Sequence, residues 1–189
     1  MKKRTAFITG IAGFAGSFLA EELLNHGYSV AGSLAPGEST ANLSAIEKKL
    51  RLVRLDILNP GECRKAVLKF KPDYLFHLAA MASVGKSFDL EQQTFRVNFE
   101  GTTNLLQAAE ACSQIKRFLF VGSCDAYGIV RPATKTLTED DPFRPISPYG
   151  ISKAAAEYAA LYYHRRHKVP VVVARAFNHS GPRQAELFV

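Results

Sequence analysis

Three glycines near the N-terminus constrain the fold more than any other feature of the sequence. Residues 10–16 read Gly-Ile-Ala-Gly-Phe-Ala-Gly; they follow the apolar run 5–9 and open a stretch with helical periodicity. Glycines between a strand and a helix permit a tight turn and let the backbone approach a pyrophosphate at the helix N-terminus. A close helix–strand contact would demand the same glycines, but at the start of a βαβ pattern they predict dinucleotide binding. The residues expected to contact the cofactor here are Gly10, Gly13, Phe14, Ala15 and Gly16.

The rest of the chain alternates between predicted strands and predicted helices. Apolar, β-rich runs occur at residues 5–9, 28–33, 51–55, 74–78, 118–121 and 171–174. Segments with helical spacing lie between most of them, at residues 13–26, 60–69, 90–112 and 148–167. This alternation predicts the α/β fold class, with a doubly wound parallel sheet (a Rossmann fold) that is covered by helices on both faces.

Composition and charge narrow the classes of function. The chain has 189 residues, of which 47% are hydrophobic, and no apolar run approaches membrane-spanning length. Its formal charge of +7 suits an anionic ligand, but the basic residues are scattered, and we expect no nucleic-acid partner. The apolar stretch after the basic start is too short for a signal peptide, which predicts a cytoplasmic protein. Three widely spaced cysteines, without histidines at metal-ligand spacing, predict reduced thiols and no metal site.

The end of the second predicted strand bears on the choice of cofactor. Folds that select NAD usually end this strand with Asp or Glu, which hydrogen-bonds the adenosine ribose hydroxyls. Here Ser33 stands near that end and repels no 2′-phosphate, so NADP(H) is favoured, while NAD(H) stays possible. A basic residue from segment 48–54 could clamp that phosphate. Asp56 and Ile57, just past the third strand, could meet the adenine edge, but a turn cap would explain Asp56 equally well.

Tyr149 and Lys153 form a YxxxK pair at the start of a predicted helix. Four residues make about one helical turn, so the ammonium lies on the phenol's face and could depress its pKa. A tyrosine tuned in this way exchanges a proton with a sugar hydroxyl or ketone. Ser123, at the C-terminal end of a buried strand, could hydrogen-bond the reacting oxygen. The simpler alternative for Tyr149 and Lys153 is an amphipathic surface pair, and for Ser123 it is a cap on the following turn. We expect Cys124, in apolar surroundings, to be an inert thiol.

Together these motifs resemble the extended short-chain dehydrogenase/reductases. Besides the glycines, the resemblance rests on segments 78–80 and 97–104, on Ser123 before the Tyr-Gly pair at 127–128, and on the YxxxK pair. These features occur in the family's order along the whole chain.

The resemblance implies a role for each matching residue. Ser123, Tyr149 and Lys153 would be the catalytic trio, with Tyr149 as the acid/base and Lys153 also holding the nicotinamide ribose. Asn98 would support the active-site strand and a water, and is placed with the cofactor-binding residues. The segment expected to pass under the cofactor is Leu78, Ala79 and Ala80.

Finer features resemble the GDP-mannose branch of that family. Segment 83–89 is similar to a substrate loop of the branch, and segment 175–184 is closest to that of its 4-keto reductases. Dehydratases of the branch usually carry Thr where Ser123 stands and Glu where Asp125 stands. Asp125 keeps a catalytic carboxylate, but it is one methylene shorter, and a misplacement of about an ångström can cost around a hundredfold in rate. The residues implied to contact a GDP-linked nucleotide sugar are Ser83, Ser87, Ser123, Asn178, His179 and Arg183.

The resemblance therefore implies an NAD(P)-dependent nucleotide-sugar oxidoreductase. Among the activities of such enzymes, it favours reduction of the 4-keto group of GDP-4-keto-6-deoxy-mannose. A GDP-mannose 4,6-dehydratase and a nucleotide-sugar epimerase stay open, as does a catalytically silent cofactor-binding sensor or truncated fragment. The resemblance also implies a homodimer that pairs through the helices at 90–112 and 148–167. Because family members continue into a C-terminal substrate domain, we expect residues 1–177 to form the cofactor domain. Residues 178–189 would begin a truncated substrate-binding region.

Overall fold

A computed structural model describes residues 3–130 and 136–184 of the chain. Its six strands in one parallel sheet are β1 Thr5–Thr9, β2 Ser29–Leu34, β3 Arg51–Arg54, β4 Tyr74–His77, β5 Arg117–Ser123 and β6 Val171–Ala176. Their order across the sheet is β3-β2-β1-β4-β5-β6, so the direction of winding reverses between β1 and β4. The predicted doubly wound fold is confirmed. In such sheets ligands bind at this reversal, outside the carboxyl ends of the strands.

The helices that cover the sheet are α1 Phe14–Asn25, α2 Pro60–Phe70, α3 Val84–Asp89, α4 Glu91–Phe95, α5 Gly101–Glu110 and α6 Pro148–His167. Two of them begin with a side-chain cap that is followed by a proline. Asn59 Oδ1 accepts a 3.1 Å hydrogen bond from the N–H of Glu62, and Ser147 Oγ accepts a 3.0 Å bond from the N–H of Gly150. A proline occupies the first position of each helix, where its missing N–H costs nothing.

The single helix predicted over residues 90–112 is largely confirmed, since α4, a π-helical turn at Arg96–Glu100 and α5 follow one another without a break over residues 91–110. Leu90 leaves the helical conformation between α3 and α4. The Thr102 hydroxyl, just after the π-helical turn, donates a 2.6 Å hydrogen bond to the carbonyl of Asn98 within it. Such a turn holds an extra residue, and π-turns are frequent at functional sites. Apolar periodicity does not register a one-residue expansion, so it predicted the helix but not the π-helical turn within it.

The core lies on both faces of the sheet. Phe7 and Ile8 are neighbours on β1 and are both fully buried, although their side chains point to opposite faces. Phe7 belongs to the cluster that includes Phe118 and side chains of α2, α5 and α6. Ile8 belongs to the second cluster, with Val30 and side chains of α1. Burial on both faces is typical of a parallel sheet, and it leaves the carboxyl edge of the sheet as the place for a ligand.

Candidate active site

A cleft of about 1220 Å³ lies at the carboxyl edge of the sheet. It brings together most residues that the sequence predicted to contact cofactor or substrate. Those that line it are Gly10, Gly13, Phe14, Ala15, Gly16, Ser33, Asp56, Ile57, Leu78, Ala79, Ala80, Ser83, Ser123, Asp125, Tyr149, Lys153, Asn178, His179 and Arg183. Asn98 and Ser87 are not among the residues that line the cleft.

The glycine turn has no room for side chains. Gly10 has φ +67°, and a Cβ there would lie 2.9 Å from the backbone N of Ala79. A Cβ on Gly16 would overlap the carbonyl oxygen of Gly10, so this glycine lets α1 pack closely against the turn that follows β1. The motif therefore serves both a tight turn at Gly10 and a close contact between that turn and the helix at Gly16.

The N-terminus of α1 fits a pyrophosphate. Gly13 caps the helix in an extended conformation, without a side-chain hydrogen bond to the first turn and without an acidic residue there. The N–H groups that the first turn of a helix leaves unpaired, together with the positive end of the helix dipole, suit an anion at the start of α1. With a cleft large enough for a dinucleotide beside it, this end of α1 fits the predicted cofactor.

Ser33 and Asp56 lie at the β2–β3 end of the cleft. Ser33 is only 2% exposed. Asp56 Oδ1 accepts a 2.9 Å hydrogen bond from the N–H of Leu58, so Asp56 caps a turn as well as lining the cleft. The basic residues of segment 48–54 are not among the described residues that line it. The phosphate clamp proposed for this segment therefore finds no support in the cleft.

Ser123 and Asp125 form a hydrogen-bonded pair at the end of β5, beside Tyr149. Ser123 Oγ donates to Asp125 Oδ2 over 2.9 Å and accepts from the Asp125 N–H over 3.1 Å. The Ser123 side chain lies close enough to Tyr149 to lower the pKa of the phenol. Ser123 is 5% exposed and Tyr149 is 8% exposed, and both line the cleft. Ser123 thus caps a turn and also lines the cleft.

The pKa of Tyr149 differs from the expectation based on YxxxK spacing. Burial raises the pKa of Tyr149 above its ordinary value, and the effect of the neighbouring Ser123 side chain only partly offsets this. The charges of Asp125 and Cys124 raise it further. The expected depression of this pKa by Lys153 is therefore wrong for this structure.

Lys153 is directed to the backbone of β5 instead of to the phenol. Its Nζ donates a 2.7 Å hydrogen bond to the carbonyl oxygen of Val121 and lies 5.2 Å from the centroid of the Phe120 ring. Burial lowers the pKa of Lys153 to about 8. The ammonium is thus fixed on the cleft wall, one turn of α6 from Tyr149.

Asn98 holds parts of the site in place rather than lining it. Its Oδ1 accepts a 2.8 Å hydrogen bond from the N–H of Met81, and its Nδ2 donates to the Met81 carbonyl over 3.1 Å. The same Nδ2 donates to Ser152 Oγ over 2.9 Å, and Ser152 Oγ donates to the Tyr149 carbonyl over 2.7 Å. The assignment of Asn98 to direct cofactor contact is corrected: the π-helical turn directs its amide to the segment after β4 and to α6.

The predicted substrate residues differ in their placement. Ser83 caps α3 by accepting from the Lys86 N–H over 3.2 Å, and it also lines the cleft. Ser87 is 1% exposed, and its hydroxyl donates to the Val84 carbonyl over 2.6 Å. Because α3 turns Ser87 inward, the structure does not support its assignment to substrate binding.

Segment 177–184 crosses the start of α1. The His179 ring stacks on Phe14, with 5.8 Å between ring centroids, and Asn178 is exposed at the cleft. Arg183 Nη2 donates to Glu21 Oε1 over 2.7 Å, and its guanidinium lies 4.4 Å from the centroid of Phe18. Arg183 therefore clamps the segment onto α1, in addition to lining the cleft. Residues 185–189 of the predicted substrate region lie outside the described residues.

Sequence reasoning missed a buried polar network under the cleft. His77, fully buried at the end of β4, lies 2.8 Å from Thr9 Oγ1 through Nδ1 and 2.9 Å from Thr102 Oγ1 through Nε2. Thr9 Oγ1 also accepts a 3.2 Å hydrogen bond from the Ala79 N–H. Burial lowers the pKa of His77 to about 3, so the imidazole is neutral. The only available signal was the position of this histidine directly before segment 78–80.

A second missed group braces the turn that carries Ser123. Arg175 on β6 donates to both carboxylate oxygens of Glu157, the shortest contact being 2.7 Å, and Glu157 is 2% exposed. Arg175 Nη1 also donates to the Tyr127 hydroxyl over 2.6 Å, and its guanidinium lies 4.5 Å from the centroid of Phe143. The hydrogen bond to Glu157 raises the pKa of Arg175 above its ordinary value. This ion pair joins β6 to α6 next to the site.

Other features of the described residues bear on chemistry. Burial and the charge of Asp125 raise the pKa of Cys124, which lowers its thiolate fraction and agrees with an inert thiol. Among residues 3–130 and 136–184, no His, Cys, Asp and Glu side chains group in threes at a distance suited to a metal ion. In the same ranges no helix combines the length and apolarity needed to cross a bilayer.

Comparisons with known proteins agree with this geometry. The family model described as GDP-mannose 4,6 dehydratase matches residues 7–189. GDP-mannose 4,6 dehydratase 2 of Caenorhabditis elegans is 33% identical over 202 residues, covering 100% of this chain and 52% of the relative. The dTDP-glucose 4,6-dehydratase of Neisseria gonorrhoeae is 28% identical, covering 96% of this chain and 56% of the relative.

Solved structures agree as well. The UDP-glucose 4-epimerase of Thermus thermophilus, in complex with NAD, superposes with a TM-score of 0.88 at 32% identity, covering 97% of this chain and 59% of that chain. This chain spans about half the length of the curated relatives that it matches. The chain belongs to the GDP-mannose 4,6-dehydratase family, within the extended short-chain dehydrogenase/reductases.

Proposed function

We propose that this chain is the cofactor-binding part of a nucleotide-sugar oxidoreductase that uses a nicotinamide dinucleotide. The observation that carries the proposal is the meeting of the glycine turn with Ser123, Tyr149 and Lys153 in one cleft. A sensor without chemistry would have no need for a buried serine and a buried tyrosine side by side, or for a buried lysine one turn away. This convergence favours an enzyme over a silent cofactor-binding protein.

Different residues of the chain would bind different parts of the cofactor. The first turn of α1 would hold the pyrophosphate, segment 78–80 would pass beneath it, and Lys153 would hold the nicotinamide ribose. When bound, the dinucleotide supplies the chemistry of hydride transfer. Because β5 and α6 carry Ser123 and Tyr149, the sugar carbon that reacts would lie at that end of the cleft.

Tyr149 acts as the proton donor in this proposal. Its raised pKa keeps the phenol protonated at neutral pH, which suits donation of a proton to the oxygen of a ketone as it becomes a hydroxyl. Ser123, which lies beside the phenol and lowers its pKa, would hydrogen-bond the same ketone oxygen. Lys153, with a pKa of about 8, is mostly protonated at neutral pH and favours negative charge in the cleft.

This arrangement favours reduction over dehydration. Dehydratases of this branch usually carry Glu where Asp125 stands, so the shorter Asp125 side chain, whose Oδ2 accepts from Ser123 over 2.9 Å, is less well placed to abstract the proton next to the ketone. We therefore propose reduction of the 4-keto group of GDP-4-keto-6-deoxy-mannose. GDP-mannose 4,6-dehydratase activity is the second candidate, because Asp125 lines the cleft and the matching family model carries that description.

Absorbance of the reduced nicotinamide tests the reaction. The chain, and the longer gene product where the gene encodes one, is mixed with NADH or NADPH and GDP-4-keto-6-deoxy-mannose. The proposal predicts cofactor oxidation that depends on the sugar. If the longer protein oxidises neither cofactor but converts GDP-mannose, dehydration replaces reduction as the function.

Tyr149→Phe separates the roles of binding and proton transfer. The variant removes only a hydroxyl, so we expect the cofactor to bind with unchanged affinity while turnover falls by about 10²–10⁴-fold. Turnover within about threefold of the wild type would refute the acid role of Tyr149.

A homodimer is the assembly that we propose. Ile151, Tyr158 and Tyr162 on α6 are 44%, 62% and 56% exposed, and their spacing of seven and four residues places them on one face of the helix. A second copy that packs against this face would bury them. Light scattering after gel filtration should give twice the chain mass, and Tyr158→Lys should shift the protein towards the monomer. A monomeric wild type would contradict this proposal.

A further inference from the structure

The β2–β3 end of the cleft is where an adenosine would lie. The glycine turn follows β1. Ser123 and Tyr149 lie beside β5, on one side of β1 in the sheet, whereas β2 and β3 lie on the other side. A dinucleotide with its pyrophosphate at the glycine turn and its nicotinamide beside Tyr149 must extend its other half over β2 and β3. The residues that line this end therefore meet the adenosine ribose.

We propose that Glu38 selects the dinucleotide here, by accepting hydrogen bonds from the adenosine ribose hydroxyls and by repelling a 2′-phosphate. This inference rests on the proposed dinucleotide binding and deepens it. Glu38 lines the cleft at the same end as Ser33 and Asp56. The carboxylate that is missing from the end of β2 is thus supplied from the loop that follows, and the chain prefers NAD(H) to NADP(H). This proposal favours NAD(H), whereas Ser33 alone favoured NADP(H).

A rigid turn holds Glu38 in place. Residues 35–38 read Ala-Pro-Gly-Glu, and the N–H of Glu38 donates a 3.1 Å hydrogen bond to the carbonyl of Ala35. Gly37 has φ +78°, which a type II turn requires at its third position after a proline. Glu38 Oε2 also accepts a 2.8 Å hydrogen bond from the N–H of Ala35. A carboxylate offers more acceptor sites than this one bond uses, which leaves capacity for a ribose hydroxyl.

The neighbouring cation braces this turn. Arg54 Nη1 donates to the carbonyl oxygens of Ala35 and Glu38, over 3.1 and 3.2 Å. Arg54 is exposed and is not among the described residues that line the cleft. The carboxylate of Glu38 and that of Asp56 are therefore the charges that face a ligand at this end. A 2′-phosphate, with a charge near −2 at neutral pH, would be repelled by both.

Calorimetric titration of NADH and NADPH into the wild type and Glu38→Gln tests the assignment. Gln keeps an oxygen that accepts from the Ala35 N–H, so the turn should be preserved while the charge is lost. Glu47→Gln is the matched control: Glu47 is exposed, lies nine residues further along the chain and is not among the cleft-lining residues. Thermal melting of each variant verifies that the fold is intact.

We expect the wild type to bind NADH at least about tenfold more tightly than NADPH. Glu38→Gln should reduce this ratio by about tenfold, mainly by tightening NADPH binding, and added salt should reduce the wild-type ratio by screening. Glu47→Gln should leave the ratio unchanged.

Two other results would overturn the assignment and are distinguishable. A wild type that prefers NADPH, or a ratio unchanged in Glu38→Gln, would refute the role of Glu38 while leaving dinucleotide binding established. Binding of neither dinucleotide by the folded wild type would refute the proposed function, and this inference with it.

Discussion

The buried His77 should make the stability of this protein fall steeply in mild acid. Its pKa is lowered from 6.5 to about 3 because burial disfavours the charged imidazolium, and the charge of Lys153 acts in the same direction. The unfolded chain therefore binds a proton at pH 5 that the folded chain does not. Stability contributed by this group is fully present above a pH of about 6.5 and is lost as the pH falls from there towards about 3.

The size of this loss of stability follows from the linkage between proton binding and unfolding. One proton taken up only by the unfolded state changes the free energy of unfolding by about 1.4 kcal/mol per pH unit below the unfolded pKa. Between a pH of about 7.5 and a pH of about 5, the loss attributable to His77 is roughly 2 kcal/mol. That is a large fraction of the roughly 5–15 kcal/mol that holds a typical domain folded.

The assay is denaturant unfolding of the wild type and His77→Asn at both pH values. Asn keeps one short polar side chain but cannot bridge Thr9 and Thr102, so the variant should lose about 1–3 kcal/mol at the higher pH. Its further loss at the lower pH should be roughly 2 kcal/mol smaller than that of the wild type. His26→Asn, which removes an exposed imidazole, is the matched control. Equal acid losses in the wild type and His77→Asn would refute the reasoning.

Three further predictions concern packing and the site. Gly16→Ala should destabilise the protein by about 1–3 kcal/mol, since the Cβ of alanine would overlap the Gly10 carbonyl. Chemical denaturation measures this loss, and an unchanged unfolding midpoint would contradict the close contact. Glu157→Gln should cost about 3–5 kcal/mol because it leaves the charge of Arg175 in a partly buried site, and a loss below about 1 kcal/mol would show that the pair is dispensable. Asn98→Ala should lower turnover and loosen segment 78–82, which hydrogen exchange at Met81 would report; unchanged exchange there would count against its positioning role.

Much of the fold could be predicted because local signals agreed with the global pattern. α6 runs over Pro148–His167 as predicted, since Ser147 and Pro148 define its start and Lys168, in a left-handed conformation before Val169 and Pro170, ends it. β1 runs over Thr5–Thr9, also as predicted. Within residues 90–112, hydrophobic periodicity predicted the helical stretch but not the π-helical turn at Arg96–Glu100, because that turn displaces the pattern by a single residue.

The site was predictable only where a motif spans a short stretch of sequence. The glycine turn and the YxxxK pair are local, and both line the cleft. His77 meets Thr9 and Thr102 only through the sheet and α5, at separations of 68 and 25 residues, so no local pattern could reveal them. Glu38 belongs to a loop whose direction depends on the turn at Gly37 and on the brace from Arg54.

The most direct test of the central claim is denaturant unfolding with and without saturating nicotinamide dinucleotide. A ligand that binds only the folded state at about 100 times its Kd raises the free energy of unfolding by about 2.7 kcal/mol. If the cleft binds the cofactor as proposed, NADH or NADPH should produce a stabilisation of this size that grows with the logarithm of ligand concentration. An unfolding free energy that does not change with either dinucleotide, up to millimolar concentrations, would contradict the account.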